Sequence, residues 1–151
     1  MPFLILALIV FPIFIFLAAH RFPGLWKGGL IGVGIMILSD YAGYRLNLYA
    51  YQRELIMVGV LPVFHIFDIF IVSMLFLNWL PQQWSRRIPY ILFFSALSLA
   101  VEGAMYNAGA IIYVNWHLGY SYLVLIAGLS LLAYLSDLIL WIKTTNYKRL
   151  Q

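Results

Sequence analysis

The stretch LPVFHIFDIFIV, residues 61–72, is apolar enough to lie inside a membrane, yet it carries His65 and Asp68 one helical turn apart. An ionised side chain at the centre of a membrane helix costs about 2.5–3.5 kcal/mol on insertion scales, so such groups usually face the interior of a helix bundle or a wet cavity. The stretch therefore predicts a membrane helix whose polar face points inward. It also makes the polar residues of the other apolar segments candidates for a functional site.

The composition of the whole chain is that of a membrane protein. Of its 151 residues, 65% are hydrophobic and 9% are charged, whereas soluble domains carry roughly 25% charged residues. The net charge is +4, but the basic residues lie between apolar segments, which favours contact with lipid head groups over nucleic acid. The absence of cysteine excludes disulfides, a thiolate nucleophile and a cysteine-based zinc site.

Five apolar segments, each near the roughly 20 residues that cross a bilayer, predict an all-α bundle of five transmembrane helices. The connections are short, so consecutive helices are expected to be antiparallel neighbours in one domain, residues 1–151. The predicted spans are residues 2–19, 28–44, 55–79, 89–113 and 118–142.

The basic residues predict the orientation of these five spans. Seven fall on one side of the membrane: Arg21, Lys27, Arg86, Arg87, Lys143, Lys148 and Arg149. Only Arg45 and Arg53 fall on the other side. Because cytoplasmic loops are enriched in Lys and Arg, this asymmetry predicts an external N-terminus and a cytoplasmic C-terminus. The expected location is the cytoplasmic membrane of a bacterium.

Small residues predict where helices approach each other, since apolar side chains gain nothing by leaving lipid for one another. Gly28 and Gly32 lie four residues apart at the start of the second span. The fourth span has a face of small residues at the same spacing: Ala96, Ala100, Ala104 and Ala108. We interpret this alanine face as packing within the chain. The alternative is an interface between two copies of the chain. The expected partners of the protein are membrane lipids and either further copies of the chain or a partner membrane protein.

Pro62 lies inside the predicted third span, three residues before His65. Proline removes one helical hydrogen bond and clashes with the carbonyl group four residues back, here that of Val58. The sequence therefore predicts a kink at this point, and a polar pocket beside it.

The depth of each polar residue follows from the helical rise of about 1.5 Å per residue. His65 and Glu102 fall at nearly the same level, so we expect them to meet across helices three and four, with Asp68 one turn deeper. Asp40 and Tyr44 form a similar pair at the outer end of helix two. Together these residues predict a polar pocket open to the outside. Its predicted ligand-binding residues are Asp40, Tyr44, His65, Asp68, Glu102, Tyr106, Asn107, Tyr113 and Trp116.

Buried polar pairs also have a purely structural interpretation, in which they fix one helix against another. Interhelical hydrogen bonds in membranes contribute only about 0.6 kcal/mol on average, which is little reason to bury a charge. The structural interpretation suits Asp40 and Asp137 best, because both lie near an interface, where burial costs less. Asp137 lies near the cytoplasmic end of the fifth span, and we expect its partner to be Lys143.

Three of the predicted pocket residues have side chains that could bind a metal ion. His65, Asp68 and Glu102 would offer one imidazole and two carboxylates to a divalent ion. A single H-x-x-D pattern is weak, however, and no second histidine is suitably placed. The sequence also lacks a phosphate-binding loop, a dinucleotide fingerprint and the common hydrolase motifs. We therefore expect neither a metal nor a cofactor.

Two segments, SDYAGYRLNLY (39–49) and SLAVEGAMYNAGAIIYVNWHLGYSY (98–122), together with the apolar closing helix, resemble a family of small membrane proteins. The family is uncharacterised, has about five spans and is common in spore-forming Firmicutes. The closing helix AGLSLLAYLSDLILW departs from it in lacking basic residues and proline. The resemblance implies no activity, but it implies that six polar positions belong together: Asp40, Tyr44, Glu102, Tyr113, Trp116 and Ser121.

The chain is also similar, more distantly, to small integral-membrane cyclases of isoprenoids, which use carboxylates inside a helix bundle. This similarity implies a protonated Glu102 as general acid. It further implies that the aromatic rings would shield a carbocation.

Three functions follow from these observations, and we favour the first. It is a protein that binds a lipid or an isoprenoid-like ligand. The second is an intramembrane enzyme with Glu102 as the acid and His65 and Asp68 as base or orienting groups. The third is a proton-coupled transport component that relays protons along Asp40, His65, Asp68 and Glu102, and that would need an oligomer.

Overall fold

The computed structural model describes residues 1–148, and their side chains as far as Ile139. Helix makes up 76% of the chain, which confirms the predicted helical architecture. The helices are α1 (Pro2–Ala18), α2 (Phe22–Arg45), α3 (Val63–Asn78), α4 (Trp84–Asn107) and α5 (Leu118–Lys148). By length and composition, three helical segments could cross a membrane: Pro2–Arg45, Trp84–Asn107 and Leu118–Ile139. Helix α3 is apolar but shorter.

The segment Pro2–Arg45 reverses direction at a short 3-10 turn, Ala19–Arg21, between α1 and α2. Helix α1 runs parallel to α3, because the Phe3 ring lies 4.8 Å from that of His65 at one end. At the other end, Arg21 Nη1 donates to the Asn78 carbonyl oxygen at 2.9 Å. Helix α2 runs antiparallel to α3, since its Asp40 lies beside His65. We call the two ends of the bundle the His65 end and the Arg87 end.

Helix α3 packs against both α1 and α2. Near the middle, Phe14 of α1 belongs to the same buried cluster as Ile71 and Met74 of α3. Further towards the Arg87 end, Phe76 packs into a second cluster with Ile91 of α4 and residues of α5. The helices on both sides of α3 are thus joined through one apolar core.

Four short strands lie at the His65 end: β1 (Tyr49–Tyr51), β2 (Met57–Val58), β3 (Leu61–Pro62) and β4 (Ile111–Tyr113). Strand β1 pairs antiparallel with β4, and Tyr49 lies opposite Tyr113. Strands β2 and β3 form a small hairpin. Its turn contains Gly59, whose φ of 61° is a backbone conformation that glycine adopts without a steric penalty. None of these strands was predicted.

The strands correct two predicted helix boundaries. The predicted start of the third span, 55–79, is too early. The β2–β3 hairpin occupies the first part of that range, and α3 begins only at Val63. The predicted kink is therefore wrong. Pro62 precedes the helix with extended backbone angles, φ −66° and ψ 136°, a position where no helical hydrogen bond from it is needed. The fourth span, 89–113, is also displaced, since α4 ends at Asn107, shortly before Gly109 with φ 75°.

Glycines bring α2 and α3 into close contact, as predicted for Gly28 and Gly32. A Cβ atom on Gly32 would lie 2.0 Å from Ser73 Oγ, and one on Gly28 would lie 2.1 Å from a methyl carbon of Leu77. A Cβ on Gly29 would similarly lie 2.7 Å from the Phe70 ring. Backbone and side chains therefore touch along three positions of one face of α2.

The alanine face of α4 does not pack within the chain, so that interpretation is wrong. All four of its residues are exposed: Ala96, Ala100, Ala104 and Ala108. The reason is that α4 turns its other side inward, where Arg87, Ile91 and Ser95 are buried at four-residue intervals. An interface between copies of the chain stays a prediction for the alanine face.

Candidate polar site at the His65 end

Asp40 is the centre of one hydrogen-bond network. The Tyr49 hydroxyl donates to Asp40 Oδ1 at 2.9 Å. His65 Nε2 lies 3.1 Å from Asp40 Oδ2 and 3.1 Å from the Tyr51 hydroxyl. Because a carboxylate only accepts hydrogen bonds, the ring nitrogen facing it is the one that carries hydrogen. The network thus joins the end of α2, strand β1 and the start of α3.

The backbone around β1 brings the two tyrosines to Asp40. Asn47 has φ 55° and turns the chain back after α2. Gly43 leaves room for the Tyr49 ring, which a Cβ atom there would approach to 2.5 Å. Burial, followed by the charge of Asp40, raises the pKa of Tyr49 above its ordinary value, and burial does the same for Tyr51. Both phenols therefore keep their protons and can act as donors.

Glu102 is the centre of a second network, which joins α4, β4 and α5. The Ser121 hydroxyl donates to Glu102 Oε1 at 2.5 Å, and the Tyr113 hydroxyl donates to the same oxygen. Trp116 Nε1 in turn donates to Ser121 Oγ at 2.8 Å. The Tyr106 ring stacks on Tyr113 with ring centroids 4.6 Å apart. Glu102 is thus an acceptor for two hydroxyl groups.

The two networks meet at the β1–β4 sheet. The Tyr49 ring lies 5.6 Å from the Trp116 ring, and Tyr49 pairs with Tyr113 across the strands. We call the combined set the polar layer. Its members are Asp40, Tyr49, Tyr51, His65, Glu102, Tyr113, Trp116 and Ser121.

The polar layer brings together many of the residues predicted for one site, but with different partners. The predicted contact between His65 and Glu102 is wrong, because α3 turns His65 towards α2 and Tyr51. The predicted pair of Asp40 and Tyr44 is also wrong. Tyr44 is exposed, and the hydroxyl on Asp40 Oδ1 comes from β1 instead.

Three other predicted residues lie outside the polar layer. The Tyr106 ring stacks on it, but its hydroxyl forms no hydrogen bond among the described side chains. Asn107 is exposed at the end of α4. Asp68 lies one turn deeper along α3 and is bonded to none of the polar-layer residues.

Sequence reasoning missed Tyr49 and Tyr51 as site residues. Both lie in a segment interpreted as a loop, although YAY places an aromatic residue at every second position. This alternation is the pattern of a strand with one face turned inward. This alternation indicates a strand, but a pattern of three residues is too short to be distinguished from chance.

At the Arg87 end, a second acid has an unexpected partner. Arg87 Nη1 and Nη2 lie 2.5 Å and 3.1 Å from the two oxygens of Asp137. Arg87 Nε donates to the Pro81 carbonyl oxygen at 2.6 Å. The Lys143 side chain, the expected partner of Asp137, lies outside the described residues. Arg87 was assigned to a loop, but it is buried in the first turn of α4.

No protein-family model, no curated protein and no solved structure matches this chain. Within the residues whose side chains are described, no group of three His, Asp or Glu residues is arranged to hold a metal ion. The function must therefore be argued from the contacts of the chain's own residues.

The hydrogen bonds to Glu102 give a first testable prediction. We expect Glu102→Gln to lower the free energy of unfolding by about 1 kcal/mol, because charge-assisted hydrogen bonds become neutral ones. The measurement is equilibrium unfolding of the purified protein in detergent. Tyr106→Phe is the matched control, since its hydroxyl has no partner among the described side chains. Equal changes in both variants would contradict the role of Glu102.

Proposed function

We propose that this chain is a five-span membrane protein, with its N-terminus outside and its C-terminus in the cytoplasm, that binds the apolar chain of a lipid or isoprenoid-like ligand. Five spans are supported by the reversal between α1 and α2 and by the antiparallel path through α3. The orientation is supported by the seven basic residues on one side against two on the other.

The observation that carries the binding proposal is an apolar groove between α1 and α3. The groove has a volume of about 300 Å³ and is lined by four residues of α1 and three of α3, all of them apolar. Among them, Leu8, Phe11 and Phe67 form its walls. Ligand sites begin at volumes of roughly 300 Å³ and are mostly apolar with a few placed polar groups. The groove therefore suits one hydrocarbon chain.

The Glu54 carboxyl group, near the His65 end of this groove, supports a ligand whose head group carries a hydrogen-bond donor. Glu54 Oε1 accepts a hydrogen bond from the backbone nitrogen of Phe3 at 3.1 Å, directly beside the groove residue Leu4. Glu54 Oε2 is buried and has no partner among the described residues. Glu54 lies outside the groove lining, so a hydroxyl or amine on the ligand head would have to enter beyond the groove to satisfy this oxygen. The groove and Glu54 together favour an apolar chain that ends in a hydrogen-bond donor.

The two acids of the polar layer accept hydrogen bonds from neighbouring elements. Two hydroxyl groups donate to the same oxygen of Glu102, so this oxygen is an acceptor within the bundle. Asp40 is likewise an acceptor for Tyr49. In this proposal the polar layer holds the helix ends in place around the groove.

Native mass spectrometry of the gently extracted protein tests the proposal. We expect Leu8→Trp to fill the groove and to reduce the retained ligand at least about tenfold, which corresponds to about 1.4 kcal/mol of binding free energy. Leu38→Trp is the matched control. Both leucines are strongly exposed, at 67% and 75%, but Leu38 lies on α2 outside the groove.

Two outcomes of this experiment are informative. Loss of one defined lipid or isoprenoid from Leu8→Trp alone would support the groove as its site and would identify the ligand by mass. Release of the same bulk lipids by wild type and both variants would contradict the proposal.

A further inference from the structure

Asp68 is a buried acid that the polar layer does not use. Its exposed fraction is 2%, and neither of its carboxyl oxygens has a hydrogen-bond partner among the described residues. Each of the other four acidic side chains of the protein forms a hydrogen bond through at least one carboxyl oxygen. They are Asp40, Glu54, Glu102 and Asp137.

An ionised carboxylate in this position would be very unfavourable. Removing a carboxylate from water costs several kcal/mol even after the protein relaxes, and no cationic side chain up to Ile139 forms an ion pair with Asp68. A neutral, protonated carboxyl in the same place costs only about 1–3 kcal/mol. The burial of Asp68 therefore favours the form that carries a proton.

A metal cation is a poorer occupant than a proton. Hard cations take about six or more oxygen ligands. Besides the two oxygens of Asp68, the buried polar side-chain atoms without a partner in the described part of the chain are only Glu54 Oε2 and Ser95 Oγ. A proton needs a single oxygen and no coordination shell.

The ionisable groups on α3 and on the elements around it define where the proton of Asp68 can come from. On its own helix, His65 lies one turn nearer the end of the bundle, about 4.5 Å along the axis. Helix α2 contributes Asp40, which is bonded to His65. The connection before β2 contributes Glu54, and α1 contributes no ionisable side chain, only the amine of Met1 that precedes it.

We propose that Asp68 is a proton-binding site that exchanges its proton with the His65 end of the bundle by way of His65. In the uptake step, an imidazolium N–H bond of His65 breaks as an O–H bond forms on the Asp68 carboxylate, with water carrying the proton between them, because no described side chain is hydrogen-bonded to Asp68. His65 then regains a proton from the aqueous side. This proposal does not rest on ligand binding in the groove.

Infrared spectroscopy of the full chain in lipid nanodiscs tests for this proton. The carbonyl band of a protonated carboxyl is separate from the bands of a carboxylate. We expect such a band at neutral pH in wild type and in Glu102→Gln, and its loss in Asp68→Asn. We also expect the band to weaken as the pH is raised and the proton leaves. Absence of the band, its survival in Asp68→Asn or its insensitivity to pH would each overturn the proposal.

The part played by His65 is tested separately by hydrogen–deuterium exchange. After transfer to D₂O, the same band shifts as Asp68 takes up deuterium, and the rate of that shift is measured. We expect His65→Gln to slow it at least about tenfold, while Tyr106→Phe leaves it unchanged. An unaltered rate in His65→Gln would overturn the exchange route. Unfolding curves recorded on the same samples confirm that each variant is folded.

Discussion

Replacing Asp137 with alanine is expected to lower the free energy of unfolding by about 3 kcal/mol, because it leaves a buried cation without its partner. Arg87 is only 5% exposed and forms two hydrogen bonds to Asp137. The Asp137 side chain is itself 43% exposed, so solvent screening places the effect at the low end of values for buried pairs. Equilibrium unfolding in detergent measures it.

Replacing Arg87, the other member of the ion pair, is the control for this variant. Arg87→Ala leaves a half-exposed carboxylate that water can solvate, so we expect a smaller loss. Replacing both residues, as Arg87→Met with Asp137→Leu, should recover much of the stability, since apolar side chains of similar size often substitute for buried ion pairs. Additive effects of the two single changes would contradict a coupled pair.

Gly32→Ala is expected to lower the free energy of unfolding by about 2 kcal/mol, within the range for overpacked cores. The new Cβ atom would lie 2.0 Å from Ser73 Oγ and 2.6 Å from Ser73 Cβ. The second distance cannot be relieved by rotating the serine side chain, because Cβ is fixed to the backbone. Helices α2 and α3 must therefore move apart, and the loss is again read from equilibrium unfolding in detergent.

Two further variants separate this steric effect from helix propensity. Gly34 lies half a turn away on α2 and has no atom within 4 Å of a new Cβ. Gly34→Ala should therefore be neutral, or stabilising by up to about 1 kcal/mol. Combining Gly32→Ala with Ser73→Gly removes the side chain that the new Cβ atom would meet, and should restore most of the lost stability. Equal effects at positions 32 and 34 would show that close packing is not the cause.

The helical membrane architecture could be predicted from the sequence because lipid forces the backbone to satisfy its own hydrogen bonds. The helix boundaries near residues 62 and 108 could not. Apolar residues such as Val58 and Ile111 continue the hydrophobic segments into β strands, so hydropathy does not mark where the helix ends. The changes of backbone direction lie at Gly59 and Gly109, whose positive φ angles a hydropathy profile does not show.

The members of the polar layer were easier to predict than their partners. Counting residues gives the depth of a side chain in the bundle, and it placed His65 and Glu102 at one level. It does not give the direction in which each helix faces. That direction depends on close contacts such as those of Gly28 and Gly32, which turn α3 towards α2. The small residues of α4 face outward, so spacing alone did not reveal which face is inside.

The pairing of β1 with β4 has a consequence for the order in which the chain is made and inserted. Tyr49 is synthesised well before Tyr113, its partner across the sheet, and α3 and α4 lie between them. Until β4 has been synthesised, strand β1 therefore has an unpaired edge, which can pair with another chain. Its length of only three residues limits that risk. Ser121 follows later still in the chain, so Glu102 gains this donor only after the start of α5 has been synthesised.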